Sequence, residues 1–366
     1  MKRIIVSVTN DLVADNRVHK VCTTLTEMGF DVLLAGRCYH SSPQMAPRVY
    51  KTRRMHLLLR KGPLFYAEYN LRLMFFLLFT KFDTLLANDL DTLMANVAAG
   101  KLKGKPVVYD SHEYFTEVPE LINRPRVQRV WLWLEKVLVP KVSAAYTVCQ
   151  SIADIYSQQY NIPFGVVRNV PQPIQYPENL DKTLINDSRP AIIYQGALNL
   201  GRGLESAIRA MQYIPEAQLI IAGSGDKEKE LHELATEISP QNIQFSGRLS
   251  LEELSVITMQ ASLGISLEED MGLNYRYALP NKLFDYIQAQ IPVVVSNLPE
   301  MKNVVEKYQI GLIAGSHDPE HLAGLFRQAL FDESLRETWK DGLTTAAREL
   351  NWNHERKVIE EIFKMF

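Results

Sequence analysis

The chain has 366 residues, enough for two domains that each bury a core, and its 46% hydrophobic and 22% charged content excludes a disordered or fibrous protein. The net charge of −2 hides an asymmetry: residues 1–170 hold 22 Lys+Arg against 14 Asp+Glu (+8), and the rest 18 against 28 (−10), so the first half suits an anionic ligand or surface. Cys22, Cys38 and Cys149 form no paired framework, which points to a reducing cytoplasm; MKRIIVSVTN lacks the apolar length of a signal peptide, and no window reaches the roughly 18–20 apolar residues that span a bilayer.

In chain order, RIIVSV (3–8) reads as a strand, followed by the loop Thr9–Asn16 and a helix over Arg17–Met28 that Gly29 closes. The strand DVLLAG completes a βαβ opening without the glycine fingerprint of dinucleotide binders. Its loop offers Asp15, Asn16, Arg17 and His19 at the helix start, either as ligand contacts or, for Asp15 and Asn16, as an N-cap. Residues 51–82 set Lys51, Arg53, Arg54, Arg60, Lys61, Arg72 and Lys81 around leucines and phenylalanines. Leu73–Phe79 is too short to span a membrane and reads either as a core helix or as one lying on an anionic membrane surface. No Arg/Lys run interleaved with aromatics on a strand pattern is present, so nucleic acid is not an expected partner.

FDTLLANDLD is a strand running into Asp89 and Asp91, which are expected to cap the next helix. PVVYDSHEYF is a strand ending in Asp110, His112 and Glu113, just past the carboxyl end of a parallel strand, where α/β sheets bind ligands. VQRVWLWLEKVLVP, AAYTVC, SIADIYSQQY and FGVVRNVP complete a first domain as helix, strand, helix and strand. Residues 172–190 are rich in Pro, Asn and Asp and read as a linker. Beyond them AIIYQGAL, AQLIIAGSGD, NIQFSGRL, LGISL, PVVVS and GLIAG form a second strand–helix array.

The loop GALNLGRGLE carries Gly196, Gly201, Arg202 and Gly203; small residues permit close backbone approach, and an arginine can fork onto two phosphate oxygens. IAGSGD, with Gly223, lacks the third glycine of a dinucleotide fingerprint. After LGISL a loop with Glu268, Glu269 and Asp270 leads to Pro280 and a helix whose start carries Asn281, Lys282 and Asp285. A strand end feeding a helix N-terminus favours anions; Lys282 supplements the free amides, and Asp285 can accept hydrogen bonds from hydroxyls.

Four motifs in this order, Asp-Ser-His-Glu (110–113), Arg-Gly-Leu (202–204), Gly-Ser-Gly (223–225) and Pro-Asn-Lys-Leu-Phe-Asp-Tyr (280–286), resemble the retaining glycosyltransferases of family four, the glycosyl transferases group 1 type. The resemblance implies an α/β, GT-B architecture: two Rossmann-like doubly wound domains facing a central cleft. Residues 1–172 would be the acceptor domain, 173–349 the nucleotide-sugar domain, and 350–366 a helix crossing back to the first. It implies transfer of a hexosyl group with retention from a UDP- or GDP-sugar to a glycan or lipid-linked acceptor in cell-surface polysaccharide biosynthesis. No cofactor or metal ion is called for, and the place implied is the cytoplasm or the inner face of the plasma membrane. The catalytic residues carried over are His112, Arg202 and Lys282; the donor-binding ones are Gly196, Gly203, Gly223, Glu268, Asn281, Leu283 and Asp285. Asn16, Arg17, His19 and Glu113 fall on the acceptor loops. The family's two glutamates with seven residues between them correspond here to Tyr277 and Asp285. A nucleotide-sugar 2-epimerase of the same fold and a non-catalytic subunit of a glycan synthase complex are the alternatives.

Overall fold

The computed structural model describes the chain apart from residues 14, 174–184, 186–188 and 239–240. Most of the stretch read as a linker lies outside the described residues. The chain divides into two units, Met1–Asn169 with His354–Phe366, and Val170–Asn353.

The first unit runs β1 (Arg3–Asp11), α1 (Asn16–Glu27), β2 (Asp31–Cys38), β3 (Lys51–His56), α2 (Pro63–Phe79), β4 (Thr84–Asn88), α3 (Leu90–Lys103) and β5 (Val107–Ser111). It continues with the short α4 (Pro119–Ile122), α5 (Pro125–Leu138), β6 (Ala144–Thr147), α6 (Gln150–Tyr160) and β7 (Phe164–Val166). The strands form one parallel sheet in the order β3-β2-β1-β4-β5-β6-β7. Central strands of such a sheet are covered on both faces, which is why Ile4, Ile5 and Val6 of β1 and Leu85 and Leu86 of β4 are consecutive buried aliphatics rather than an alternating pattern. The order reverses between β1 and β4, making their carboxyl ends a topological switch point. Right-handed crossovers in opposite directions put α1 on one face and α2, α3 and α5 on the other, where α3 packs against both of its neighbours.

The second unit runs β8 (Ala191–Gln195), α7 (Leu204–Ala210), β9 (Gln218–Ala222), α8 (Glu228–Ile238), β10 (Ile243–Gly247), α9 (Leu251–Gln260) and β11 (Leu263–Ser266). It goes on through α10 (Leu273–Arg276), α11 (Asn281–Gln288), β12 (Val293–Ser296), α12 (Pro299–Tyr308), β13 (Gly311–Ala314), α13 (Pro319–Phe331) and α14 (Glu333–Glu349). Its parallel sheet has the order β10-β9-β8-β11-β12-β13, with its switch point between β8 and β11. The final helix α15 (Trp352–Phe363) gives its residues from His354 onward to the first unit. There Glu355 accepts from the Arg168 amide at 2.7 Å, and Phe363 meets Phe30 edge-on at 6.4 Å.

Asp15 is the N-cap of α1, its carboxylate accepting from the Val18 amide at 3.1 Å. The arginine two residues on is placed otherwise than its sequence neighbourhood suggests. Arg17 is 4% exposed; its guanidinium donates to both oxygens of Asp110 (3.1 and 2.7 Å) and to the Val167 carbonyl (2.8 Å). One side chain thus ties α1 to the end of β5 and to the chain leaving β7. Burial works against the Asp110 carboxylate, but Arg17, and after it His112, outweighs burial and holds the group at about 2.

Replacing Arg17 with methionine would leave Asp110 buried without its forked partner, a loss of about 3–5 kcal/mol for a broken buried pair. The expected result is a lower urea midpoint for unfolding of the first unit; an unchanged midpoint would show that the pair contributes little.

Candidate functional site

In the second unit, the chain leaving β8 must pass close to neighbouring backbone. A Cβ on Gly223 would lie 1.8 Å from the Gly196 carbonyl oxygen, and one on Gly203, at φ +67°, 2.2 Å from the Leu267 carbonyl oxygen. Glycine is therefore required at both positions, and the loop between β8 and α7 is drawn against the end of β11. This brings Arg202 beside Glu268. Lys282, in the first turn of α11, reaches the same carboxylate: Nζ donates to Glu268 Oε1 at 2.7 Å, and an Arg202 terminal nitrogen lies 3.6 Å from that oxygen. Lys282 Nζ also sits 4.1 Å from the centroid of the Tyr194 ring, and the Arg202 guanidinium 5.3 Å from that of Tyr275.

Glu268 is wholly buried and receives a further bond from the Ser266 hydroxyl at 2.7 Å. Burial would raise its carboxyl, but Lys282 and, more weakly, Arg202 outweigh burial and hold it below the ordinary range. Arg202 is not used up in this way. Its side chain is 27% exposed, and its Nε is buried with no hydrogen-bond partner among the described residues. A guanidinium with an unmet donor beside an ammonium is an arrangement that an oxyanion would complete.

One turn further along α11, Asp285 accepts from Gln195 Nε2 at 2.8 Å, and Gln195 Oε1 accepts from the Thr258 hydroxyl at 2.7 Å. Gln195 thus bridges Thr258 and Asp285, and its amide positions the carboxylate. Tyr286 anchors the same helix to the sheet through hydrogen bonds with Gln195, Ile193 and Ile265, while Gly264 leaves the space its ring occupies.

In the first unit the polar groups gather just beyond β4 and β5, beside the switch point. Asp89 adopts φ +57°, unusual for a residue other than glycine, and makes no side-chain bond to α3. The expected helix cap is thus corrected: Asp89 Oδ1 accepts from the His112 amide at 2.8 Å, and its other oxygen lies 3.3 Å from His112 Nδ1. On the far side of the ring, Nε2 lies 3.3 Å from Asp110 and 3.1 Å from Asn88 Oδ1. Burial disfavours the charged ring, but the two carboxylates outweigh it and raise His112 to about 9. The two flanking carboxylates thus favour the imidazolium form, which suits His112 to presenting positive charge. Asp91 accepts from Thr9 at 2.5 Å and is raised to about 7 by burial and by Asp89.

The residues named from the sequence fall into two groups. Gly196, Gly203, Gly223, Arg202, Lys282 and Asp285 come together in the second unit around Glu268, with Asn281 exposed at the start of α11. Glu268 itself, expected to touch a donor, is instead sealed beneath the two cations. Leu283 is wholly buried and its amide already donates to the Pro280 carbonyl at 3.1 Å, so a ligand contact there is corrected to a core contact. In the first unit Arg17 is likewise corrected from a loop contact to an internal bridge, and His19 Nδ1 is paired with the Tyr50 hydroxyl at 2.8 Å. Asn16 and Glu113 are exposed. The sequence reading missed Asn88, Gln195 and Tyr194; their only signal is a polar or aromatic residue at the end of an otherwise aliphatic strand.

Comparison with known proteins bears on both units. Residues 175–343 match the family model described as Glycosyl transferases group 1, and residues 14–175 the one described as Glycosyltransferase Family 4. A curated relative, the GDP-mannose-dependent monoacylated alpha-(1-6)-phosphatidylinositol monomannoside mannosyltransferase of Corynebacterium glutamicum, is 29% identical over 185 residues. That alignment covers 46% of this chain and 45% of the relative, so the match spans less than half of the relative's length. Among solved structures, a sucrose-phosphate synthase from Thermosynechococcus elongatus superposes with a TM-score of 0.79 at 15% identity, over 100% of this chain and 99% of that one. HepE of Anabaena in complex with UDP gives 0.75 at 15% identity over the whole of both chains. Both sheets and their connections are thus those of the GT-B fold.

The raised His112 group makes a pH prediction with a definite sign. Because folding raises its affinity for a proton, the stability it contributes is complete below about 6.5 and is lost as pH rises through about 9. In a ring-proton NMR titration His112 should titrate near that value, and Asp89→Asn should move it down; a midpoint near 6.5 would show that the carboxylates do not hold the charge.

Proposed function

Because the chain belongs to the glycosyl transferases of group 1, with their GT-B fold, we propose that it moves a sugar from a nucleotide diphosphate donor, UDP- or GDP-linked, to a hydroxyl of a glycan or lipid-linked acceptor, with retention of anomeric configuration. The observation that carries this reading is the convergence of Arg202 and Lys282 on one buried carboxylate, with the Arg202 Nε left unmet. A departing nucleoside diphosphate develops negative charge on its terminal oxygen, and preorganised cations stabilise that charge most where water is scarce. The anomeric carbon–oxygen bond to the diphosphate breaks, a bond to the acceptor oxygen forms on the same face of the sugar, and the acceptor proton leaves on the diphosphate. The counter-charge in this reading comes from Arg202, Lys282 and the amide-rich start of α11 rather than from a metal ion. Asp285 takes the ribose hydroxyls, to which an ionised carboxylate near a helix N-terminus is suited.

Donor class is supported by the names of the relatives: GDP-mannose in the Corynebacterium protein, UDP in the HepE complex. A cell-surface glycan as product and a place of work at the inner face of the cytoplasmic membrane fit a lipid-linked acceptor. The acceptor's side of the reaction falls to the first unit, where Asn16 and Glu113 stand exposed, while His112, held between Asp89 and Asp110, is read as lying against the donor sugar.

A thermal-shift series with UDP, GDP and their sugar conjugates tests the reading directly, since a ligand that binds only the folded state raises the melting temperature. Stabilisation by one nucleotide series, followed by turnover only when an acceptor is added, is the expected result; consumption of donor alone to a free epimer would point to the epimerase. Arg202→Ala should lose about 2–4 kcal/mol of transition-state stabilisation, read from kcat/KM, with only a small fall in melting temperature because Lys282 and Ser266 still bond Glu268. Near-normal turnover would remove Arg202 from the diphosphate site. Asp285→Asn should raise the donor KM more than it lowers kcat, by roughly 1.5–3 kcal/mol, because the bond it loses is made to a part of the donor that does not react. A loss confined to kcat would exclude the ribose role.

A further inference from the structure

Helix α2 carries apolar side chains on its outward face as well as its inward one, with the Glu68–Arg72 pair set among them. Phe65, Tyr69, Leu73 and Leu77, spaced four apart, point inward and are buried. Leu64, Leu71, Phe75 and Phe79 fall on the opposite stripe and are 67%, 59%, 55% and 87% exposed. Single exposed apolar residues need no explanation, but four on one stripe do. The loop before the helix extends the same surface. The amides of Leu58 and Leu59 donate to the two oxygens of Glu68 at 2.9 and 2.8 Å, so both leucines lie along the outward side of α2. Leu58 is 83% exposed.

The charges around this stripe have one sign. Residues 51–82 contain seven basic residues, of which Lys51 and Arg54 pair with Asp31 and Asp11, and a single acid, Glu68, which those two amides and Arg72 (2.8 Å) already satisfy. Arg60, Lys61, Arg72 and Lys81 are exposed at its margins. On the same side of the sheet α5 repeats the pattern. Trp133 is 61% exposed, and Arg126, Arg129 and Lys136, seven and four residues before it and three after, share its outward face. The acid of that helix, Glu135, is wholly buried on the inward side, where Tyr156 and Tyr160 donate to it. Trp131, also inward, packs on Tyr66 of α2 with ring centroids 5.1 Å apart, which joins the two helices in one layer.

We propose that the outer face of α2 and α5, with the Leu58–Lys61 loop, docks on an anionic lipid bilayer. Leucine, phenylalanine and tryptophan enter the interface between headgroups and acyl chains, while arginine and lysine reach anionic headgroups along its rim. A nucleic acid would use the cations but leaves the aliphatic stripe exposed to water. A protein partner would cover the apolar stripe without calling for a basic rim, and is an outcome of the test. Among the described residues no helix is long and apolar enough to cross a membrane, and the contact is therefore a surface one. Resting on the proposed function, docking there would hold a lipid-linked acceptor at the unit assigned to receive it.

Vesicle co-sedimentation of the full chain tests this without any glycosyl transfer, so its failure and failure of the proposed reaction are distinguishable. The chain should pellet with phosphatidylcholine vesicles containing phosphatidylglycerol, at least tenfold more weakly with phosphatidylcholine alone, and progressively less as salt screens the headgroups. Phe75→Gln with Phe79→Gln should weaken binding about tenfold at any salt. Arg126→Gln with Arg129→Gln should weaken it chiefly at low salt. All four positions are exposed, and an unchanged melting temperature certifies the fold of each variant. Equal binding to neutral vesicles, or binding unaffected by both pairs, overturns the proposal. So does a dimer on size-exclusion chromatography that Phe75→Gln with Phe79→Gln dissociates, which would assign the face to a second copy of the chain.

Discussion

Glu268 has no contact with water, and a carboxylate in that position is tolerated only when its charge is paired and its oxygens are bonded. Lys282, Ser266 and Arg202 meet that demand, and the constraint acts in both directions. Two cations that would otherwise repel are held on one oxygen, at the end of β11 and the start of α11. The glycines at 203 and 223 exist to let the backbones come that close. Positive charge is thus assembled by the fold itself, at the mouth of the β8–α7 loop.

The first unit meets the same problem with a different result. Asp110 is as buried as Glu268, and it too is flanked by two cations, Arg17 and His112. Here, however, the guanidinium is spent on the carboxylate and on the Val167 carbonyl, leaving it 4% exposed, whereas Arg202 keeps 27% of its side-chain surface and an unmet Nε. The same pair of residue types is therefore a clasp between α1 and β5 in one unit and an open cation in the other. Exposure and spare donors decide the difference, not residue identity.

Positioning extends beyond the charged groups. Gln195, itself in contact with Thr258, supplies a donor to Asp285 from the end of β8. His112 is oriented by Asp89, whose left-handed backbone turns its carboxylate away from the helix it precedes and toward the imidazole. Both arrangements sit at the carboxyl ends of strands flanking a reversal in strand order, where neighbouring loops diverge and leave room for a ligand.

The amino-acid order alone determined the two strand–helix arrays, because parallel strands covered on both faces are written as short continuous aliphatic runs, and the helices between them end at legible glycines and prolines. It also determined the positions of Gly203, Arg202, Lys282 and Asp285, since each belongs to a local motif whose chemistry needs those residues within a few positions of one another. Which polar groups remain available was decided only by the tertiary structure. Arg17 and Asp110 are 93 residues apart in the chain, and Gln195 and Asp285 are 90 apart. Nothing local marks Arg17 as spent, Glu268 as sealed or Asp89 as the support of His112. Burial is set by every element that packs around a residue, and the cost of burying a charge is met by whichever partner the fold brings near, however distant in sequence.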